Sequence, residues 1–544
     1  MDLTSQPLVS PADPSVDHGP EARRRRLLVL GVCSLSLFMV TLDNTIVNVA
    51  LPSLQREFHA SVSQLQWVAD AYLLVIAALL LFAGSLGDRF GRRRILRTGL
   101  VLFGLGSLAC SLSPSLPLLI LFRMLQACGG CMLNPNSLSI ISNTFKDPKE
   151  RAAAIGFWGG VVGISTAAGP IVGGALIDAV DWRAIFWVNV PVVILTLVLL
   201  RLFVPESKSP TPRRLDPKGQ VVAIVVLASL TYGIIEGPDR GWSDWLILAC
   251  FGVAAIGTAA FIWIERHQAE PLLQLRFFRS PPFSGAFAIA VLAFVILAGW
   301  LFLNTLYLQE VRGYSPLMAG VAALPATIVI VAVSPFSGRL VGRRGSRLPL
   351  CAAGALLAAG TALLIFLRPE TPYLLLAVSY LLIGLGFGAV NPPITNTAVS
   401  GMPLSQAGVA SAVAGTARQL GSVLGVAVLG SVVTSRLHND LSARLAGSNL
   451  PEAVRVKLAT AGMSASGIGG AGLPQKAAKI LGEAFTSATH AGWALAALCG
   501  VLVVVVAYFT TSPRARQEAR LVMQPDAGSS AGPARVGTGT AAAP

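Results

Sequence analysis

The chain has 544 residues, 54% of them hydrophobic and only 12% charged, with 41 Lys and Arg against 26 Asp and Glu. Soluble proteins carry about 25% charged residues. Half that density, gathered in short clusters between long apolar runs and with a mean hydropathy of +0.68, excludes a soluble globular protein. The formal charge of +15 sits mostly in loops of one side and implies attraction to anionic lipid rather than a nucleic-acid partner.

Apolar runs of roughly 20 residues, each long enough to cross a hydrocarbon layer of about 30 Å, recur along the chain. They predict spans near 27–50, 65–86, 95–113, 116–144, 152–176 and 184–204, then 219–235 and 243–264. Six more are predicted near 283–309, 316–340, 347–367, 372–398, 406–434 and 488–511. The fold class is thus an all-α polytopic membrane protein with fourteen spans, since barrel strands of about 10 residues with alternating polarity do not occur. The first 22 residues lack an apolar core ahead of a small-residue cleavage site, so no cleaved signal peptide is expected. The tail 512–544 is low in complexity and expected to be disordered.

Arg and Lys are retained on the cytoplasmic side. Arg23 to Arg26 and most loops on the same side carry basic clusters. The short loops opposite hold at most one basic residue each, among them Arg56, Arg183, Arg240, Arg312 and Arg368. Both termini are therefore expected in the cytoplasm, with the long loop 435–487 outside; its own basic residues do not count, because long loops escape the rule. All seven cysteines fall inside spans, so no disulfide framework is indicated, and the C-G-G-C at Cys128–Cys131 reads as small-residue packing. The histidines lie outside spans or at their ends, which argues against a histidine relay.

A glycine-rich basic turn, G-S-L-G-D-R-F-G-R-R-R at 84–94, follows the second span, and F-S-G-R-L-V-G-R-R-G-S-R at 336–347 follows the tenth. Each is then the second member of a six-helix bundle. The predicted domains are a tail 1–26, a bundle 27–204, a linker region 205–282 with two added spans, a bundle 283–511 and the tail 512–544. Two similar bundles suggest a site between them.

These residues resemble the major facilitator superfamily, and within it the fourteen-span drug:proton antiporters. Gly84, Gly87, Asp88, Arg89, Gly91 and Arg92 are similar to the signature cytoplasmic loop, and L-D-N-T-I-V-N-V-A-L-P at 42–52 to the first-span motif. Arg123 with Gln126 and Gly129 is similar to the fourth-span arginine motif. Gly156 with Gly169, Pro170, Gly173 and Gly174 is similar to the fifth-span antiporter motif, and D-W-R-A-I-F-W-V-N-V-P at 181–191 and R-Q-L-G-S-V-L-G at 418–425 complete the set. Ala127 and Ser165 stand where the family has glycine, and Ala184 where it has an aromatic. The resemblance implies a major-facilitator fold, two six-helix bundles plus two inserted helices, working as a proton-coupled antiporter in the plasma membrane. It would export amphipathic, cationic drugs or antibiotics, as a monomer that is no enzyme and uses no cofactor beyond the proton gradient. An exporter of one endogenous metabolite, antibiotic or siderophore and a non-transporting receptor are the alternatives.

The span SLFMVTLDNTIVNVALP at 36–52 carries Asp43 about 7 residues, or roughly 10 Å, from its outer end. Arg123 lies at the same level of its span and Asp70 slightly nearer the outer surface. Intramembrane ionisable groups face an interior and pair. Burial favours a neutral carboxyl and a nearby arginine an ionised one, so Asp43 is a candidate proton carrier; a fixed Asp43–Arg123 pair serving only structure is the alternative. Asp70 is read as a proton carrier, an exposed polar lining or an attractor of cations. Asp88 is expected to latch one side by pairing with a neighbouring arginine, or to accept bonds from a helix N-terminus. Asn44 and Asn48, four apart on one face, suit a water-lined passage, and Asn391 and Arg418 are placed in the substrate cavity. Arg418 has no acidic partner in its half and would meet either backbone carbonyls or an anionic group. Tyr72, Phe157, Trp158, Trp300 and Tyr307, with Trp67, Phe82 and Phe302, form a possible aromatic lining; the alternative is interface anchoring. Glu236 and Glu310 read as solvated span ends. No phosphate-binding loop occurs, whereas one charge crossing 100 mV releases about 2.3 kcal/mol.

Overall fold

The computed structural model describes residues 20–209, 216–268, 273–400, 407–446 and 475–512, with 452, 514, 515 and 517. The expectations for residues 1–19, for the middle of loop 435–487 and for most of the C-terminal tail lie outside this set.

Lipid offers no partner to backbone polar groups, so a spanning chain must close its hydrogen bonds within each segment. Fourteen helices among the described residues are long and apolar enough to span. They are α1 (Pro20–Phe58), α2 (Val62–Phe90), α3 (Arg92–Ser111), α4 (Leu116–Thr144), α5 (Pro148–Ala179), α6 (Ala184–Trp187) continued by α7 (Asn189–Phe203), α8 (Pro217–Arg240) and α9 (Trp245–His267). After these come α10 (Pro281–Leu306) with a π-turn at Tyr307–Val311, α12 (Leu324–Arg344) preceded by the short α11 (Pro316–Ala322), α13 (Arg347–Leu364), α14 (Tyr373–Val399), α15 (Ala407–Ala446) and α16 (Gln475–Thr510). Capping follows local chemistry. Ser61 and Gln64 form a reciprocal capping box on α2, and Asp216 accepts from Gly219 N at 2.8 Å at the start of α8.

Two expected boundaries change. The tenth span is split into α11 and α12, since Pro325 stands in the first turn of a new helix. Loop 435–487 begins and ends in helix, because Leu437, Leu441 and Leu445 form a stripe at helical spacing that buries against Leu481 and Phe485. Arg444 pairs with Glu483 at 3.0 Å and Ser487 donates to Asp440 at 2.7 Å along this extension.

Helices α1 to α7 pack mainly among themselves, as do α10 to α16. Within the first group, a Cβ on Gly129 would lie 2.3 Å from Phe103 N, so α3 and α4 touch backbone to backbone. The inserted pair is unequal. α8 lies along the seam where α2 meets α15, whereas α9 leans on α8 and presents Ile256 and Trp263 outward.

Hydrogen bonds joining the groups lie on the side away from the α2–α3 turn. Gln66 donates to Val426 O and Ala427 O at 2.9 and 3.0 Å, Gln309 to Val49 O at 2.9 Å, and Ser315 to Asp178 at 3.0 Å. Nearer the turn side the approach loosens: a Cβ on Gly415 of α15 would meet only Leu80 Cδ2, at 4.0 Å. The halves are clamped at the far side.

Candidate functional site

Asp43 is fully buried and Arg123 is 1% exposed. Arg123 Nη1 donates to Asp43 Oδ2 at 2.5 Å and to Gln126 Oε1 at 2.8 Å. The other carboxylate oxygen, Oδ1, accepts from Gln126 Nε2 at 2.8 Å and Asn189 Nδ2 at 3.0 Å. Asn189 opens α7 just after the break from α6, and its amide also donates to Ser107 Oγ at 3.0 Å, which in turn donates to Phe186 O at 2.9 Å. Beneath the guanidinium lies the Tyr72 ring, its centroid 4.0 Å from Cζ. Five helices, α1, α2, α3, α4 and α7, therefore converge on the cluster built around one carboxylate.

The expected pairing of Asp43 with Arg123 is present. Gln126 and Asn189 complete it beside the carboxylate, with Ser107 behind Asn189, and none of these placements was anticipated. Gln126 stands one turn from Arg123, and Asn189 is a polar residue in an otherwise apolar span; those were the available signals.

The antiporter-motif glycines explain how this cluster is held. A Cβ on Gly169 would lie 2.0 Å from Thr45 Oγ1, and one on Gly173 2.6 Å from Ile46 Cγ1. Only glycine lets α5 approach α1 so closely, two and three residues beyond Asp43. A Cβ on Gly174 would lie 2.5 Å from Leu317 Cα of α11, and one on Gly320 of α11 2.3 Å from Pro170 O. α5 thus touches the carboxylate helix on one side and the second half on the other. Gly156 is different, with nothing within 4 Å of its Cβ position.

Asp70 departs from the reading as an exposed lining: it is fully buried, and neither carboxylate oxygen has a hydrogen-bond partner. Gln66, one turn before it, bonds α15, and Leu74 and Ala77 after it pack on Val423 of α15, so Asp70 lies on the face of α2 turned to the second half. The inserted α8 covers the outer end of α2, where Trp67 donates to Glu236 at 2.8 Å and Ser63 to Asp239 at 2.6 Å. Glu236 is accordingly tied down rather than freely solvated. Glu310 is also buried, at 7% exposure in the π-turn beside the Gln309–Val49 bond.

The turn at 84–94 is stitched locally. Asp88 Oδ1 accepts from Arg92 Nε and Nη2 at 3.0 and 2.8 Å, one helical turn along, so the expected pairing forms across the α2–α3 turn and not between halves. Gly91 has φ +109°, a conformation open to glycine, and Glu206 accepts from Arg93 N at 3.1 Å. Gly87 is pressed on Asn136 of α4 and Gly84 on Pro135. Arg89 stacks on Phe90, 5.7 Å from the ring centroid.

Of the aromatic lining, Tyr72, Trp300, Tyr307 and Phe302 are enclosed in the helix packing and line nothing open. Trp300 meets Tyr380 edge-on and Tyr307 donates to Arg368 O at 2.7 Å. Phe157 is 60% exposed, and Trp158 is partly buried with its indole N–H unpartnered. Asn48 Nδ2 donates to Asn44 O at 3.0 Å, so this pair closes on its own backbone; Asn44 Oδ1 remains without a partner. Arg418 reaches Asn391 and Thr395 of α14.

Two helical bundles clamped at one side, with a buried ion pair inside one of them, define a membrane carrier of the two-bundle type. The chain matches the family model of the Major Facilitator Superfamily over residues 33–426 and belongs to that family. It is 40% identical over 422 residues to "Multidrug resistance protein Stp" of Mycobacterium tuberculosis, covering 78% of each chain. It is 36% identical over 499 residues to the "Tetracenomycin C resistance and export protein" of Streptomyces glaucescens, covering 90% of this chain and 92% of that one. Among solved structures, a bacterial homologue of the human lysosomal transporter Spinster, inward-facing and unoccupied, shares the fold with a TM-score of 0.63 at 17% identity, over 94% of this chain and all of that one.

Proposed function

We propose that the protein is a proton-coupled antiporter that exports amphipathic drugs or antibiotics across the plasma membrane by alternating access, with both termini in the cytoplasm. The observation that carries this reading is the Asp43–Arg123–Gln126–Asn189 cluster, fully enclosed and abutted through Gly169 and Gly173 by a helix that also touches the other half.

As a carboxylate, Asp43 accepts from three donors on α4 and α7 and ties α1 to them. A proton on Asp43 cancels the charge that holds Arg123, and the guanidinium falls back on Gln126 and the Tyr72 ring. The tie from α1 to α4 then weakens, and α5, wedged between α1 and α11, carries the change to the second half. With the positive-inside orientation, the far-side clamp makes this conformation closed to the exterior. Asp70 is a second carboxyl for the same work, because a buried charge without a partner is costly and its position at the α2–α15 seam couples its proton to the joining of the halves.

The test is reconstitution of the full chain in proteoliposomes with a lumenal pH dye. An imposed proton gradient should drive ethidium accumulation, accompanied by proton release. Asp43→Asn should abolish both while leaving folded protein in the membrane; gradient-driven accumulation by that variant at the wild-type rate would remove Asp43 from the mechanism.

A further inference from the structure

Arg418 is a membrane-embedded cation whose bonding is incomplete. It sits in the first third of the 40-residue α15 and is only partly buried. Its sole hydrogen bonds run from Nη1 to Asn391 Oδ1 at 3.5 Å and Thr395 Oγ1 at 3.4 Å, both at the outer limit of useful length. Among the described residues no carboxylate lies within ion-pair distance of it. Nε and Nη2 are neither hydrogen-bonded nor shut away from solvent. The buried arginine of the first half, Arg123, is by contrast compensated by Asp43.

Position adds to this. Gly421, three residues on, is pressed against Val291 O of α10, and Gly415, three residues back, approaches α2 only through Leu80. Arg418 projects between those two faces toward α14, into the interval between the halves on the side where they separate. One turn before Asn391 on α14 lies Phe387, whose ring meets Phe294 of α10 at 5.1 Å. An unfilled guanidinium fork, an amide and a hydroxyl beside the partly buried Phe294 ring match an acid group on an apolar body, since the fork is shaped for planar oxyanions.

We propose that Arg418, with Asn391 and Thr395, receives a carboxylate, enolate or phenolate of the exported molecule, whose apolar part lies toward the partly buried Phe294. This rests on the exporter reading and specifies its substrate class; an isolated cation finds no acid in this part of the second half.

The experiment measures binding of pyrenebutyrate and of its methyl ester to the full chain in lipid nanodiscs, with ethidium as the cationic control and protein-free discs subtracted. The wild type should prefer the acid to the ester by at least about 10-fold. Arg418→Gln should weaken acid binding by about 10- to 100-fold with ester and ethidium binding unchanged, and Arg418→Lys should keep part of the preference. Equal binding of acid and ester by the wild type overturns the proposal. So does an equal loss of all three probes in Arg418→Gln, which would leave the arginine only fastening α15 to α14. If that variant does not fold, Arg418→Lys and Asn391→Ala decide, since an undiminished acid preference in both also overturns it. Proton-linked ethidium flux without acid preference sinks the anion site alone; acid preference without proton-linked flux of either probe sinks the exporter reading alone.

Discussion

Replacing Asp43 with Asn tests the physical basis of the cluster apart from transport. The carboxylate accepts from Arg123, Gln126 and Asn189 at 2.5, 2.8 and 3.0 Å. An asparagine offers one acceptor oxygen and one donor amide, so at least one of these donors then faces another donor. Arg123, 1% exposed, also loses its only counter-ion. Breaking a buried pair from one side costs about 3–5 kcal/mol, whereas replacing both members with apolar groups of similar size is often nearly neutral. Asp43→Asn should therefore lose about 3–5 kcal/mol, and Asp43→Asn with Arg123→Met should recover most of it. Equilibrium unfolding by SDS titration in mixed micelles measures both. The reasoning is refuted if the double variant is no more stable than the single one, or if the single one stays within about 1 kcal/mol of wild type. Proton-driven transport should be absent from both, which separates stability from function.

Three other outcomes follow from the geometry. Gly129→Ala drives a Cβ into Phe103 N and Gly99 O, both backbone, and should destabilise by about 1–3 kcal/mol; Gly156→Ala meets nothing and should be neutral or stabilising by up to about 1 kcal/mol, measured by the same titration. Gln66→Leu removes two bonds across the seam at about 0.6 kcal/mol each. The distance between spin labels at the far-side ends of α2 and α15 should then broaden toward longer values. Arg183 pairs with Glu57 at 2.7 Å, and that hydrogen bond raises the guanidinium's already high pKa. The pair is about a third exposed on both sides, so Arg183→Gln should change stability by no more than about 1 kcal/mol, in contrast with Asp43.

Depth was legible in the sequence and azimuth was not. Counting residues from span ends put Asp43 and Arg123 at one level, and a charge buried at that level has to pair, so their contact followed. The same count put Asp70 near the outer surface and made an exposed lining plausible. It lies on the face of α2 turned to α15, between Gln66, which bonds that helix, and Leu74, which packs on its Val423; nothing local to Asp70 announces that neighbour. Trp300 and Tyr307 failed as lining residues for a related reason. Aromatic side chains inside a span look alike whether they turn toward a cleft or into the packing, and α10 is buried on most of its circumference. The helical extension of loop 435–487 was written in its leucine spacing, but a search for spans ends where charge begins.

The two halves can be compared at equivalent joints. In the first, helices one and four of the bundle, α1 and α4, are joined by Asp43 and Arg123. In the second, α10 and α14 hold the same places, and Tyr380 donates to Asn304 across them. One joint depends on a charge that a proton can cancel; the other is a neutral hydrogen bond that a proton leaves as it is. In the proposed cycle a proton therefore acts on the first half, and the second half follows through α5 against α11 and α2 against α15. The unpaired cation in the second half, Arg418, is then free for another task. On the proposed mechanism, coupling and recognition fall to different bundles, and the substrate and the proton meet only through the motion that links them.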